Sequence, residues 1–167
     1  MTGRKLTINS SGDTITMQIR NARVEDVRDI HTLISCYAEL DKMLFRSMSD
    51  IYENLQIFKV AEDNGRVVGC CALKVVWADL AEIKSLAIDQ ARFGQGVGKA
   101  LVLACLDEGR NLGLKKVFTL TLVPEFFEKA GFTRADKKTF PMKVWSDCAT
   151  CPKQDQCDEI ALMIDLV

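Results

Sequence analysis

The stretch AEIKSLAIDQARFGQGVGKAL, residues 81–101, decides the fold. Its first eight residues, Ala81–Ile88, read as a strand, and from Val97 onward Leu101, Val102, Cys105, Leu106 and Leu112 recur at helical spacing and are expected to face inward. Between them, Arg92-Phe93-Gly94-Gln95-Gly96-Val97-Gly98-Lys99 is a glycine-rich turn that opens the helix. A helix start leaves backbone N–H groups without intrahelical acceptors and carries the positive end of the helix dipole. Glycines remove the side chains that would keep an anion away, so strand, turn and helix together form an anion cradle. Neither nucleotide pattern fits. A Walker loop needs one more residue between its glycines and a hydroxyl after the lysine, where this chain has Ala100; a dinucleotide fingerprint needs its third glycine one residue later than Gly98. A plain turn whose glycines serve helix packing is the alternative that the turn alone leaves open.

Outward from that block, the elements fall in the order β-α-α-β-β-β-α-β-α-β-β. Ile15–Arg20 alternates as a half-buried strand, and Val24, Val27, Ile30, Leu33, Ile34 and Tyr37 share one helix face. Ser47 and Asp50 have capping-box spacing ahead of a second helix with Ile51 and Leu55. Phe58–Ala61 and Val67–Leu73 flank Asn64-Gly65, a tight-hairpin signal. After the long helix come a strand at 116–121, a short helix from Pro124 to Gly131 that draws in Phe126 and Phe127, and a last strand over 159–165. Residues 1–16 are expected to be a loose arm with at most one short strand, and 17–167 a single α/β (α+β) domain with a cysteine-containing loop at 141–158.

At 167 residues the chain suits one domain, with 48% hydrophobic and 27% charged residues. A net charge of -1 gives no electrostatic case for nucleic acid or an anionic membrane, and no run reaches a membrane span. The first 16 residues lack the apolar core of a secretory signal, so a cytoplasmic compartment with reduced thiols is expected. Of seven cysteines, Cys36, Cys70, Cys71 and Cys105 sit in apolar contexts and read as small buried hydrophobes. Cys148, Cys151 and Cys157 give C-x2-C-x5-C, whose first pair has zinc-knuckle spacing. Three thiols leave a tetrahedral site one ligand short, so Asp147, Asp158, His31 or another chain would have to supply the fourth. Free thiols and a disulfide formed on handling stand beside zinc, and no metal site is assigned. His31, the single histidine, is expected to sit partly exposed on the first helix.

The strand at 81–88, the turn at 94–101 and the block Phe126-Phe-Glu-Lys-Ala-Gly-Phe132 together resemble the Gcn5-related N-acetyltransferase family, over about residues 17–135. The resemblance implies a mixed, mostly antiparallel sheet with helices on both faces, splayed between its fourth and fifth strands, here 80–88 and 116–121. It also implies acetyl-CoA as co-substrate, with the pantetheine pairing along Leu86, Ala87 and Ile88 and the pyrophosphate on Phe93, Gly94, Gln95, Gly96, Val97, Gly98 and Lys99. Phe93 stands where the family motif has Gln or Arg, and Arg92 or Lys99 can add charge. Phe127 stands where many members carry a tyrosine acid beside the departing thiolate; it has no proton to give, which leaves water or the substrate amine as the proton source.

Within the family, Met43–Leu55, Ala81-Glu82 and Phe118–Thr121 are similar to the branch of amino-acid acetyltransferases resembling N-acetylglutamate synthase, an arginine-biosynthesis type. In that branch the position of Arg46 binds substrate carboxylate, a task that suits a guanidinium fork; a surface arginine pairing near the second helix is the alternative. Glu82 is the candidate base, because an ammonium group must lose a proton before it can attack a thioester; a solvent-facing strand glutamate is the alternative. Lys84, two residues on, helps to hold a carboxylate or neutralises Glu82. The expected function is transfer of acetyl to the α-amine of a small amino acid, glutamate favoured. Glutamine, another amino acid, a polyamine or a protein N-terminus is the alternative acceptor, and a non-catalytic acyl-CoA-binding module the alternative class. A small-molecule partner is expected, and a homodimer is left open.

Overall fold

A computed structural model of the chain describes residues 3–10, 13–140 and 158–167. The chain forms two compact units, Met1–Ala72 with Ser85–Cys105, and Leu73–Lys84 with Leu106–Val167.

In the first unit the strand order is β1 (Arg4–Ser10), β2 (Asp13–Asn21), β3 (Phe58–Asp63), β4 (Arg66–Trp77, up to Ala72) and β5 (Leu80–Ile88, from Ser85). Strand β1 is a finding against the loose arm expected at residues 1–16: it pairs antiparallel with β2 from Arg4↔Ile19 to Ser10↔Asp13. Its period-two apolar residues, Leu6 and Ile8, are few and sit among Ser and Thr, so pairing with β2 rather than local pattern makes the strand. β3 and β4 meet through Asn64 and Gly65, both at positive φ (50° and 80°), as the Asn-Gly signal predicts.

Helix α1 (Val27–Glu39) sends Val27, Ile30 and Ile34 into a core with Ile51 of α2 (Met48–Glu53), Phe58, Val60, Val67, Cys70, Ala72 and Ala87. Two expectations for this region change. Val24 lies in a 3-10 turn ahead of α1 and is exposed, and Cys36 is also exposed, because it falls two residues past Ile34, away from the buried stripe. Cys70, Cys71 and Cys105 are buried as expected; full burial pushes the Cys70 thiol up to about 12. The entry to α1 is fixed by Arg20, whose guanidinium reaches Asp26 at 2.7 Å and Glu62 at 2.5 Å. Burial pushes the Asp26 carboxyl up, but the Arg20 guanidinium and the Arg23 N–H outweigh it and hold it below the ordinary carboxylate value.

Helix α3 (Val97–Asn111) contributes its first nine residues to this unit. It settles onto β4 at Gly69, where a Cβ would come within 2.9 Å of Ile88, 3.1 Å of Leu101 and 3.3 Å of Val97. A side chain at this position would have to push those methyl groups aside, so glycine suits the close approach of the helix start to the sheet.

In the second unit the order is β4 (from Leu73), β5 (up to Lys84), β6 (Lys116–Thr121), β8 (Ile160–Asp165) and β7 (Thr133–Arg134). β5 and β6 are parallel, while β6–β8 and β7–β8 are antiparallel. Leu80, Phe118, Phe140 and Ala161 form the core here, with the Phe118 and Phe140 rings 4.6 Å apart. Helix α4 (Pro124–Lys129) begins on its proline, and Gly131 follows at φ 99°, as the sequence predicts. Leu112, expected to face inward, lies past the end of α3 and is exposed. Apart from β1, the element order is the one read from the sequence, and the sheet is mixed and mostly antiparallel.

Candidate active site

The glycine-rich turn belongs to the first unit. After β5, Asp89 caps a 3-10 turn at Gln90–Arg92, its carboxylate accepting from the Ala91 N–H at 3.1 Å. Gly94 and Gly96 then take φ of 77° and 80°, and α3 starts at Val97. A Cβ added at Gly94 or Gly96 would meet nothing within 4 Å, so these residues face open space. This is the room an anion needs above N–H groups at the start of a 15-residue helix. Lys99 is exposed in the first turn of that helix, and Phe93 is exposed beside Gly94. Gln95 is half-buried, and its Oε1 has no hydrogen-bond partner. Arg92, an expected source of charge for the cradle, is instead paired with Asp63.

Leu86, Ala87 and Ile88 precede the turn on β5, with Ala87 fully buried. The Asp89 N–H donates to the Val68 carbonyl of β4 at 2.8 Å. Backbone groups alternate between the two edges of a strand, so Ile88 and Leu86 address the edge away from β4. At Ile88 that edge is taken by Tyr37: its hydroxyl donates to the Ile88 carbonyl at 2.8 Å and accepts from the Ile88 N–H at 3.3 Å. Burial raises the Tyr37 phenol above its ordinary value, against the lowering effect of the bond from the Ile88 N–H, so it stays a neutral donor.

The same strand carries Glu82 and Lys84 in the second unit. Glu82 is opposite Phe118 in the ladder and only 9% exposed, so it is not the solvent-facing strand glutamate of the alternative reading. Lys84 is half-buried. The parallel ladder runs from Leu80↔Lys116 to Ile83↔Thr119 and stops there, although β5 continues to Ile88. The Thr119 hydroxyl donates to the Ile83 carbonyl at 3.0 Å at this last pair. Immediately beyond, Ser85 takes φ 54°, an uncommon conformation for a non-glycine residue. Strain of that kind clusters at functional sites. Phe127 is buried in α4, with Phe126 and Phe132 packed edge-on at 5.0 and 5.4 Å.

Arg46, in the first unit, immediately precedes the Ser47 cap of α2, whose hydroxyl accepts from the Asp50 N–H at 3.1 Å. The guanidinium is 18% exposed and lies 3.4 Å from Asp50. This is the helix-start pairing weighed for it in the sequence, and at that length it is a weak hold. His31 is half-buried and stacks edge-on against Phe45 at 5.7 Å. Cys148, Cys151, Cys157 and Asp147 lie outside the described residues; among the described residues no cluster of His, Cys, Asp and Glu could hold a metal ion. No helix among the described residues is long and apolar enough to cross a membrane.

Three residues at this site were not singled out in the sequence. Tyr37 falls on the apolar face of α1 and reads as core; its one signal is a phenol that needs a partner when buried. Asp63 sits in a hairpin and reads as a turn residue. Ser85 carries no signal in its letter at all.

A strand that runs through a positive-φ residue into an open glycine turn at a helix start makes an anion cradle of the kind an acyl-CoA-dependent transferase uses. The chain belongs to the Acetyltransferase (GNAT) family, whose model matches residues 24–132, and is an acetyltransferase. It is 40% identical over 145 residues to the uncharacterized N-acetyltransferase CT2212 of Chlorobaculum tepidum, covering 87% of this chain and 94% of that one. It is 40% identical over 132 residues to an amino-acid acetyltransferase of Mycobacterium tuberculosis, covering 77% of this chain and 75% of the relative. Among solved structures, N-acetylglutamate synthase from Neisseria gonorrhoeae, complexed with coenzyme A and N-acetyl-glutamate, superposes with a TM-score of 0.82 at 27% identity. That match takes in 90% of this chain but 35% of the synthase, so the chain spans about a third of that enzyme.

Proposed function

We propose that the protein transfers the acetyl group of acetyl-CoA to the α-amine of a small acidic amino acid, glutamate favoured, as an enzyme of the arginine-biosynthesis type. The observation that carries this reading is Glu82: a buried carboxylate on β5, the strand that leads directly into the open glycine turn. The names and ligands of the relatives support an amino-acid acceptor over a polyamine, and Arg46 offers a carboxylate partner.

In this mechanism the N–H groups of 94–99 hold the pyrophosphate, and the β5 edge at Leu86 receives the pantetheine. Glu82 takes a proton from the substrate ammonium, directly or through one water, which frees the nitrogen lone pair. The amine nitrogen then bonds to the thioester carbonyl carbon, and the C–S bond breaks as the tetrahedral adduct collapses. Coenzyme A leaves as thiolate, and water or the substrate nitrogen supplies its proton, since Phe127 has none. Arg46 exchanges its weak contact with Asp50 for the substrate carboxylate, and Lys84 balances the charge around Glu82. The test is product identity: with acetyl-CoA and glutamate, mass and NMR analysis should give N-acetylglutamate acetylated at the α-nitrogen. Acetyl-CoA consumption without an amide product would end the reading.

A further inference from the structure

The turn that launches α3 is held from outside its own segment at three points, all within the first unit. Tyr37, from α1, bonds both backbone groups of Ile88. The β3–β4 hairpin places Asp63 and Arg66 on either side of Asn64-Gly65, and each meets an opposite charge on the segment after β5. Asp63 pairs with Arg92, and the Arg66 Nη2 lies 3.3 Å from the Asp89 carboxylate. The two pairs differ in weight. Asp63 and Arg92 are 8% and 24% exposed, whereas Arg66 is 76% exposed and well screened by water.

This bracing surrounds the most conformationally free backbone in the segment. Two glycines at positive φ lose more freedom on ordering than other residues would. If the ligand had to order them, that cost would be subtracted from its affinity. Fixed in advance, the helix start already keeps open space beside Gly94 and Gly96. The bracing also explains why Arg92 is unsuited to the phosphate role read for it in the sequence: its guanidinium faces a buried carboxylate.

We propose that Tyr37 and the Asp63–Arg92 pair are positioning residues for the acyl-CoA phosphates, holding the end of β5 and the 89–93 turn so that the 94–99 cradle is formed before the cofactor arrives. The inference rests on the cofactor reading above, and the test separates the two. Wild type, Asp63→Asn and Tyr37→Phe are assayed with acetyl-CoA and with S-acetylpantetheine, which has the thioester arm but no pyrophosphate. Wild type should show the higher kcat/KM with acetyl-CoA; if it does not distinguish the donors, the cradle reading itself fails. Each variant should lose about tenfold in kcat/KM with acetyl-CoA, carried by KM with kcat in place, and less than about twofold with S-acetylpantetheine. A merely structural contact would lower both donors together or change only the melting temperature. Equal losses with the two donors, or an unchanged KM for acetyl-CoA in folded variants, would overturn the proposal. Tyr37→Phe keeps the ring in its packing, so it carries the test should Asp63→Asn not fold.

Discussion

Gly96→Ala separates the two demands that the turn places on a glycine, backbone conformation and open space. A Cβ at Gly96 meets no atom within 4 Å, so in the free protein the substitution introduces only left-handed backbone strain at φ 80°. That strain is ~1–2 kcal/mol, which lowers the melting temperature of a chain this size by ~3–6 °C. Gly113, at the opposite end of α3, has φ 79° and equally open surroundings, so Gly113→Ala carries the same strain and is the matched control. The variants should part on ligand. At Gly96 the new methyl occupies the space assigned to phosphate and displaces about one charge-assisted hydrogen bond, ~1.5–3 kcal/mol. Titration calorimetry with coenzyme A should therefore show Kd raised ~10–150-fold for Gly96→Ala, and within about twofold of wild type for Gly113→Ala. Unchanged affinity in Gly96→Ala, or equal loss in both, would refute the placement of the cradle.

Glu82→Gln keeps the shape of the side chain but removes the base; kcat should fall on the order of a hundredfold or more with coenzyme A affinity intact, and an unaltered rate and pH profile would reduce Glu82 to a structural residue. Arg46→Ala should raise the acceptor KM ~30-fold, about 2 kcal/mol, with Lys restoring only part because it lacks the planar fork. Asp50→Asn should spare the acceptor KM, since it removes one contact of Arg46 and keeps the guanidinium; if it matches Arg46→Ala, the arginine serves α2 alone. Asp26→Asn should cost about 3 kcal/mol at pH 7, because Arg20 loses one of two carboxylates. The Asp26 carboxyl is held below its ordinary value in the folded state, so its contribution is present above about pH 4 and is lost as pH falls through the lower folded value. Urea unfolding of wild type and variant should therefore converge as pH is lowered from 7 to well below about 4, and a constant gap would contradict the assignment.

Local chemistry made most of the fold legible. Asn64-Gly65, the Ser47 cap, Pro124 and Gly131 each act within a few residues of their own position, and each stands where its letter placed it. The glycine turn was legible for the same reason: a helix start and positive φ are properties of the segment itself. Tyr37 and Asp63 were not, because their partners Ile88 and Arg92 lie 51 and 29 positions away and only the folded sheet brings them together. β1 escaped because two apolar residues make too short a pattern until β2 pairs with them. Arg46 was legible as a residue with two uses, and the structure presents one of them, the contact with Asp50. Ser85 could not be read at all, since nothing in a serine signals a φ of 54°.

The proposed acceptor is an acidic amino acid, its α-amine acetylated with Glu82 as base and Arg46 on the carboxylate. Coenzyme A release from acetyl-CoA, measured on the purified chain across the twenty amino acids and a polyamine such as spermidine, tests it most directly. Glutamate should give the highest kcat/KM, glutamine a lower value, and an amine that has no carboxylate little turnover. A preference for spermidine, or release that no amino acid accelerates, would contradict it.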